Sequence, residues 1–181
     1  MNELNAILKE VSSLERRVFE LKANLRHHYF KDDIPEGQLS LLLTEVSGQN
    51  VGIPLSHVDE VLQMCALNTC PEAPPWVPGL LNLRGNMIPV IDLNARVSRT
   101  ARKAAVEDFI VICKKKTLHF GLLVQQVNSI VQPDSGEIKK SSVEISLAPY
   151  VMGFFQHKGR SVYILSLSCL VETSMLPEGI A

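Results

Sequence analysis

The side chains best equipped for chemistry in this 181-residue chain are four cysteines, Cys65, Cys70, Cys113 and Cys169, and five histidines. A structural zinc site needs such ligands at close, repeated spacing. No Cys-x-x-Cys pair occurs, the cysteines sit in or beside apolar runs, and the only adjacent histidines are His27 and His28. That pattern points to buried free thiols with neither metal nor disulfide. Catalysis requires a nucleophile or base with an orienting partner. The chain has no Gly-x-Ser-x-Gly, no Gly-x-x-x-x-Gly-Lys, no Gly-x-Gly-x-x-Gly and no His-Glu-x-x-His, the short motifs that carry acyl transfer, phosphate binding, dinucleotide binding and metalloproteolysis. Glu60 and Asp92 are isolated carboxylates, better suited to pairing with a neighbouring base than to catalysis. Lys114-Lys115-Lys116 reads as a charged hairpin tip that keeps a sheet edge soluble. The expectation is a binding protein with no cofactor and no enzymatic activity.

Charge and hydropathy narrow the partners. With 18 basic and 19 acidic residues the formal charge is −1, so there is no cationic excess to drive contact with a nucleic acid. No run of about 18 consecutive apolar residues is present, as a membrane-spanning helix would require. MNELNAILKE lacks the basic-then-apolar layout of a secretory signal. A cytoplasmic protein without direct membrane insertion is expected.

The elements that would present a binding surface are written twice. Gly79 to Leu93 is echoed by Gly153 to Leu167, 74 positions later. In each copy apolar residues lead into a polar tip, Leu83-Arg84-Gly85-Asn86 or His157-Lys158-Gly159-Arg160, and an apolar run leads out. This is the composition of two strands joined by a tight turn. Ahead of it, Gly52, Val58 and Val61 are matched by Gly121, Val127 and Ile130 at an offset of 69. The order A, B, A′, B′ predicts two similar β subdomains in tandem.

Other segments fill in the frame. LSLLLTEV, a Ser-Gly-Gln-Asn turn and VGIPL make an opening hairpin, with Pro54 at a strand end because it cannot donate a ladder hydrogen bond. Helical or irregular chain is expected from His57 to Met64, and a stiff connection through Pro71, Pro74, Pro75 and Pro78. NARVSRTARKAAVED reads as a polar loop, followed by strands at Phe109–Cys113 and Leu118–Val124. At the start, Leu4, Ile7, Val11, Leu14, Val18, Leu21 and Leu25 recur at 3,4,3,4 spacing, one apolar seam along a helix over residues 3–28. With Leu4 at heptad position a, Glu10 and Arg17 fall at g, and Glu15 and Lys22 at e. Parallel self-pairing would face Glu10 with Glu15 and Arg17 with Lys22, whereas an antiparallel pair brings Glu10 to Arg17. A partner helix or the chain's own domain could also cover the seam. The chain divides into a helix and linker at 1–37, a β domain at 38–175 and a tail at 176–181.

Pro75-Trp-Val-Pro-Gly-Leu-Leu-Asn-Leu-Arg-Gly-Asn-Met-Ile-Pro-Val-Ile-Asp-Leu93 resembles the signature of the CheW-like domain, the coupling module of bacterial chemotaxis signalling. The resemblance runs from about Leu39 to Val171 and includes Ile53-Pro54, Val58-x-Glu60-Val61 and Gly121-Leu-Leu-Val124. It implies two intertwined five-stranded SH3-like β-barrels, mainly β with short helices, and no enzymatic activity. It also implies an adaptor that joins the regulatory domain of a chemotaxis histidine kinase to the cytoplasmic tips of methyl-accepting chemoreceptors, recruited to membrane-associated arrays. By that resemblance Val58, Glu60, Gly121, Val127 and Ile130 line an apolar receptor-binding groove between the barrels. Asn82, Arg84 and Gly85 form a turn that contacts the kinase or braces the barrel, Arg84 pairing with Asp59 or Glu60. Two departures stand out: Gln125 replaces the acid that most relatives carry, and the heptad helix lies outside the resemblance. The helix suggests a specialised adaptor, or alternatively an oligomerisation module carrying the β domain in a non-flagellar chemosensory pathway.

Overall fold

Three two-residue turns set the register of the β structure. Ser47-Gly48, Arg84-Gly85 and Lys158-Gly159 all have positive φ at both positions, the type I′ geometry whose twist matches that of the flanking strands. They join β1 (Leu41–Val46) to β2 (Gln49–Pro54), β4 (Gly79–Leu83) to β5 (Asn86–Asp92), and β9 (Val151–His157) to β10 (Arg160–Leu165). The remaining strands are β3 (Val58–Gln63), β6 (Phe109–Lys115), β7 (Leu118–Val124) and β8 (Gln126–Val131), with short helices α1 (Leu93–Ser98) and α2 (Leu167–Leu170). This computed structural model describes residues 38–98, 104–139 and 147–171. The heptad positions Leu4, Ile7, Val11, Leu14, Val18, Leu21 and Leu25 and the tail at 176–181 lie outside them.

The strands form two five-stranded sheets, ordered β8-β1-β2-β10-β9 and β3-β6-β7-β5-β4. Each sheet combines two strands of one repeat with three of the other, so the two five-stranded subdomains are intertwined, as the resemblance implies. The joints are parallel pairings at equivalent residues: Ile164 faces Gly52 in one sheet, and Val90 faces Gly121 in the other. Each sheet also curls back on itself. Asn68, beyond β3, exchanges 2.8 Å backbone hydrogen bonds with Leu80 of β4, and Lys139, beyond β8, does the same with Phe154 of β9 at 2.8 and 3.0 Å. Gly79 permits the first closure, because a Cβ there would sit 2.6 Å from the Asn68 carbonyl oxygen.

Three apolar clusters follow from this arrangement. Leu39, Leu41, Leu43, Phe155, Val162 and Ile164 fill the first sheet, and Leu81, Ile88, Val90, Ile110, Ile112 and Leu123 fill the second. The largest lies between them and draws on both, including Leu42, Val51, Ile53 and Leu165 from one sheet and Ile91, Val111, Phe120 and Leu122 from the other.

Three local expectations are corrected. His57 to Met64 is neither helical nor irregular: after a 3-10 turn at Leu55–His57 the chain enters β3. Asp59 and Glu60 disguise the strand, since acids are depleted in sheets, yet its residues alternate between half-buried and exposed and pair with β6. The polar loop after β5 begins as α1. Asp92 caps that helix, its Oδ1 accepting from the Asn94 and Ala95 backbone N–H groups at 2.8 and 3.1 Å. Ser166, its repeat equivalent, accepts from Cys169 at the start of α2. Asp92→Ala is therefore expected to lower stability by about 1 kcal/mol, measured by urea denaturation. Finally, the three lysines do not guard an edge. Lys114 and Lys115 belong to β6, and β6 and β7 are interior strands; Lys115 is buried.

Candidate functional site

Glu60 and Arg84 meet at one end of the second sheet. The I′ turn projects Arg84 from the end of β4, and Asn82 holds the turn's backbone, its Oδ1 accepting from the Gly85 N–H at 3.0 Å. Arg84 Nη2 then lies 3.3 Å from Glu60 Oε2 on β3, so the acid it pairs with is Glu60 rather than Asp59. Asp59 instead faces His119 Nε2 at 3.6 Å. The Arg84 side chain is 79% exposed, and a pair so open to solvent contributes less than about 1 kcal/mol to folding. Its charges remain available to a partner.

These two contacts flank a cleft of about 520 Å³ whose apolar lining includes Leu83, Met87, Ile88, Ile112 and Leu118. Met87 is 48% exposed. An apolar floor between opposite charges suits the side chains of another protein. The nearest thiol, Cys113, is buried, and burial raises its pKa, with the charge of Asp59 acting in the same direction; such a thiol stays protonated and inert. Cys169 is buried as well, whereas Cys65 is exposed and Cys70 half-buried, contrary to the expectation of four buried thiols.

The residues expected to line the receptor groove come from both sheets. Val58 and Glu60 lie on β3, an edge of the second sheet, and Val127 and Ile130 on β8, an edge of the first. Val58 and Val127, both partly buried, pack against the cluster that the two sheets share. Ile130 is 55% exposed. Gly121 lies inside β7, where a Cβ would be 2.7 Å from Ile110 Cγ2. Its place is in packing beneath the surface.

Several residues of these surfaces are not evident from sequence. Val61 is exposed like its repeat equivalent Ile130, and the 69-residue offset is the available signal. Met87 and His119 carry none, because strand pairing brings them to the cleft from distant sequence. Gln125, in place of an acid, keeps a hydrogen-bonding role: its Oε1 accepts from the Ser47 backbone N–H at 2.6 Å.

A β domain with an amphipathic cleft and exposed apolar strand residues has a surface suited to binding another protein. The family model for the CheW-like domain matches residues 40–175, and the chain belongs to that family. Its members are scaffold proteins, so the chain is a CheW-like scaffold and not an enzyme. It is similar to the chemotaxis protein CheW of Rhizobium meliloti, 28% identical over 77% of this chain and 87% of that protein. The chemotaxis protein CheW of Thermotoga maritima is 21% identical over 79% of this chain and 94% of that one. Among solved structures, the scaffolding protein TtCheW from Thermoanaerobacter tengcongensis shares the fold with a TM-score of 0.69 and 22% identity, over 78% of this chain and 93% of that one. No helix among the described residues is long and apolar enough to cross a membrane.

Proposed function

We propose that this protein is a cytoplasmic adaptor that couples methyl-accepting chemoreceptors to a chemotaxis-type histidine kinase in a membrane-associated array. The observation that carries this reading is the pair of separate docking-type surfaces on one scaffold-family domain. The exposed face of β8, with Ile130 and Val127, receives the receptor tip, and Val58 extends that surface at the core margin. Gly121 supports it from beneath. The cleft at the end of the second sheet, with Glu60 and Arg84 held by the Asn82-Gly85 turn, receives the kinase regulatory domain. An apolar residue of the partner helix set against Ile130 gains affinity by burial, at about 25 cal/mol per Å² before association costs.

Ile130→Asp is expected to weaken binding of a receptor cytoplasmic fragment at least about tenfold, with kinase-domain binding within about twofold of the unaltered protein. Titration calorimetry with each partner reads both. The coupling role is wrong if the unaltered protein binds neither partner while an authentic coupling protein from the same cell binds both.

A further inference from the structure

From Phe120 to Pro133 the sequence holds no acidic, basic or histidine residue. This run contains β8, an edge strand on which Gln126, Asn128, Ser129 and Ile130 are exposed. Exposed edges are ordinarily protected by charged side chains, as the equivalent edge β3 is by Asp59 and Glu60. On β8 that protection is left to a partner. The register decides what the partner meets. Leu42 pairs with Ile130 and Thr44 with Val127, with a bulge between them. Residues directly opposite project to the same side, and Leu42 and Thr44, two apart on β1, share a side. Val127 and Ile130 therefore lie on one face, while Glu45, the charged residue of β1, projects from the other.

We propose that Gln125, at the entry to β8, is a specificity-determining residue of this face, its side-chain N–H donating a hydrogen bond to an uncharged carbonyl of the partner, that of an Asn or Gln side chain. The proposal rests on β8 being the receptor surface. The orientation of the amide is fixed by its neighbour. The Ser47 backbone N–H lies 2.6 Å from it, and because a backbone N–H can only donate, the atom it meets is Oε1 rather than Nε2. The hydroxyl of Ser47 is bonded to Asn94 Oδ1, so the turn that holds Gln125 is itself tied to α1. Among the described residues no acceptor meets Gln125 Nε2. The side chain thus offers a donor where an acid would offer an acceptor. The strand from Gln125 to Ile130 runs about 17 Å, the length of about three helical turns, so one helix seated on Ile130 and Val127 reaches both ends. A partner carboxylate would also accept, but neither β1 nor β8 carries a basic residue to offset the loss of its hydration. An amide carbonyl is far less costly to dehydrate.

Titration calorimetry of the full chain with a receptor cytoplasmic fragment tests this. Gln125→Glu keeps an oxygen for the Ser47 N–H and removes the donor, whereas Gln125→Met removes both. Each is expected to weaken binding about tenfold, the effect of leaving a buried carbonyl unpaired, after correction for the folded fraction from urea denaturation. Binding by the unaltered protein is expected to change less than about twofold between about 0.05 and 0.5 M NaCl, since the face has no charge to screen. Tighter binding by Gln125→Glu would mean that the partner presents a donor or a cation, and would overturn the proposal. Unchanged binding by Gln125→Met would overturn it whatever Gln125→Glu does, and so would a loss above about tenfold across that range of salt. Ile130→Asp separates this contact from the coupling role. If the unaltered protein binds the fragment and Ile130→Asp does not, unchanged Gln125 variants overturn the hydrogen bond alone. An unaltered protein that binds no fragment removes the receptor surface itself, and this contact with it.

Discussion

Phe120→Ala is expected to lower the unfolding free energy by about 3–5 kcal/mol and to do so for both sheets at once. Phe120 is fully buried. It projects from β7, an interior strand of the second sheet, into the cluster that also holds Leu42, Val51, Ile53 and Leu165 of the first. Removing the ring opens a cavity that neither sheet can close without moving against the other. A domain of this size is typically stable by about 5–15 kcal/mol, so the loss is a large share of the total. The only tryptophan, Trp76, packs against the same cluster under the Arg96 guanidinium, 4.1 Å from its ring centroid. Its fluorescence therefore reports the shared core, while far-UV circular dichroism reports both sheets. Coincident urea midpoints, displaced together in Phe120→Ala, are the expected result. Separate midpoints, or a loss under about 1 kcal/mol, would show that the sheets are stabilised independently of this core.

The hairpins are legible in the sequence because their information is local. A Gly in a polar tip between apolar runs specifies a turn whatever surrounds it, and all three I′ turns fall at such tips. The repeat is legible for the same reason, since equivalent residues occupy equivalent environments. What the repeat does not encode is which copy supplies the neighbour. Val90 could have met Gly52 of its own repeat, and meets Gly121 of the other, because that choice is made by long-range packing. The caps illustrate a second limit. Asp92 and Ser166 stand at the same place in the two copies and accept hydrogen bonds from the same relative positions. Comparison by residue type passes over them, because what they share is a side-chain oxygen. Sequence leaves Arg84 a choice between Asp59 and Glu60, and the strand pairing makes it by setting Glu60 beside Arg84 and Asp59 beside His119. Val58 and Val127, equivalent in the repeat, come from edge strands of different sheets and both pack against the cluster the sheets share, a meeting that only long-range packing decides.

Gly121→Ala is expected to destabilise the domain by about 1–3 kcal/mol, the cost of overpacking a filled core, and Gly52→Ala by at least about 1 kcal/mol less. The two glycines are repeat equivalents at the two parallel joints, so a general preference for glycine there would make the costs equal. Their neighbours differ. The new methyl at position 121 would lie 2.7 Å from Ile110 Cγ2 and 3.3 Å from Val90 Cγ2. Both are branches attached directly to Cβ, and such side chains have few χ1 alternatives. At position 52 the nearest atom is Leu41 Cδ1 at 3.1 Å, the end of a longer side chain that yields by rotating. Equal losses in urea denaturation would mean that backbone entropy, rather than contact with Ile110, governs these sites. The same variant separates packing from docking at Gly121. If the glycine supports the receptor surface from within, Gly121→Ala reduces receptor-fragment binding mainly through the folded fraction and raises the unfolding rate. Ile130→Asp, at an exposed position, reduces binding with little change in stability. A Gly121→Ala protein of undiminished stability that fails to bind receptor would instead place the glycine in the contact itself.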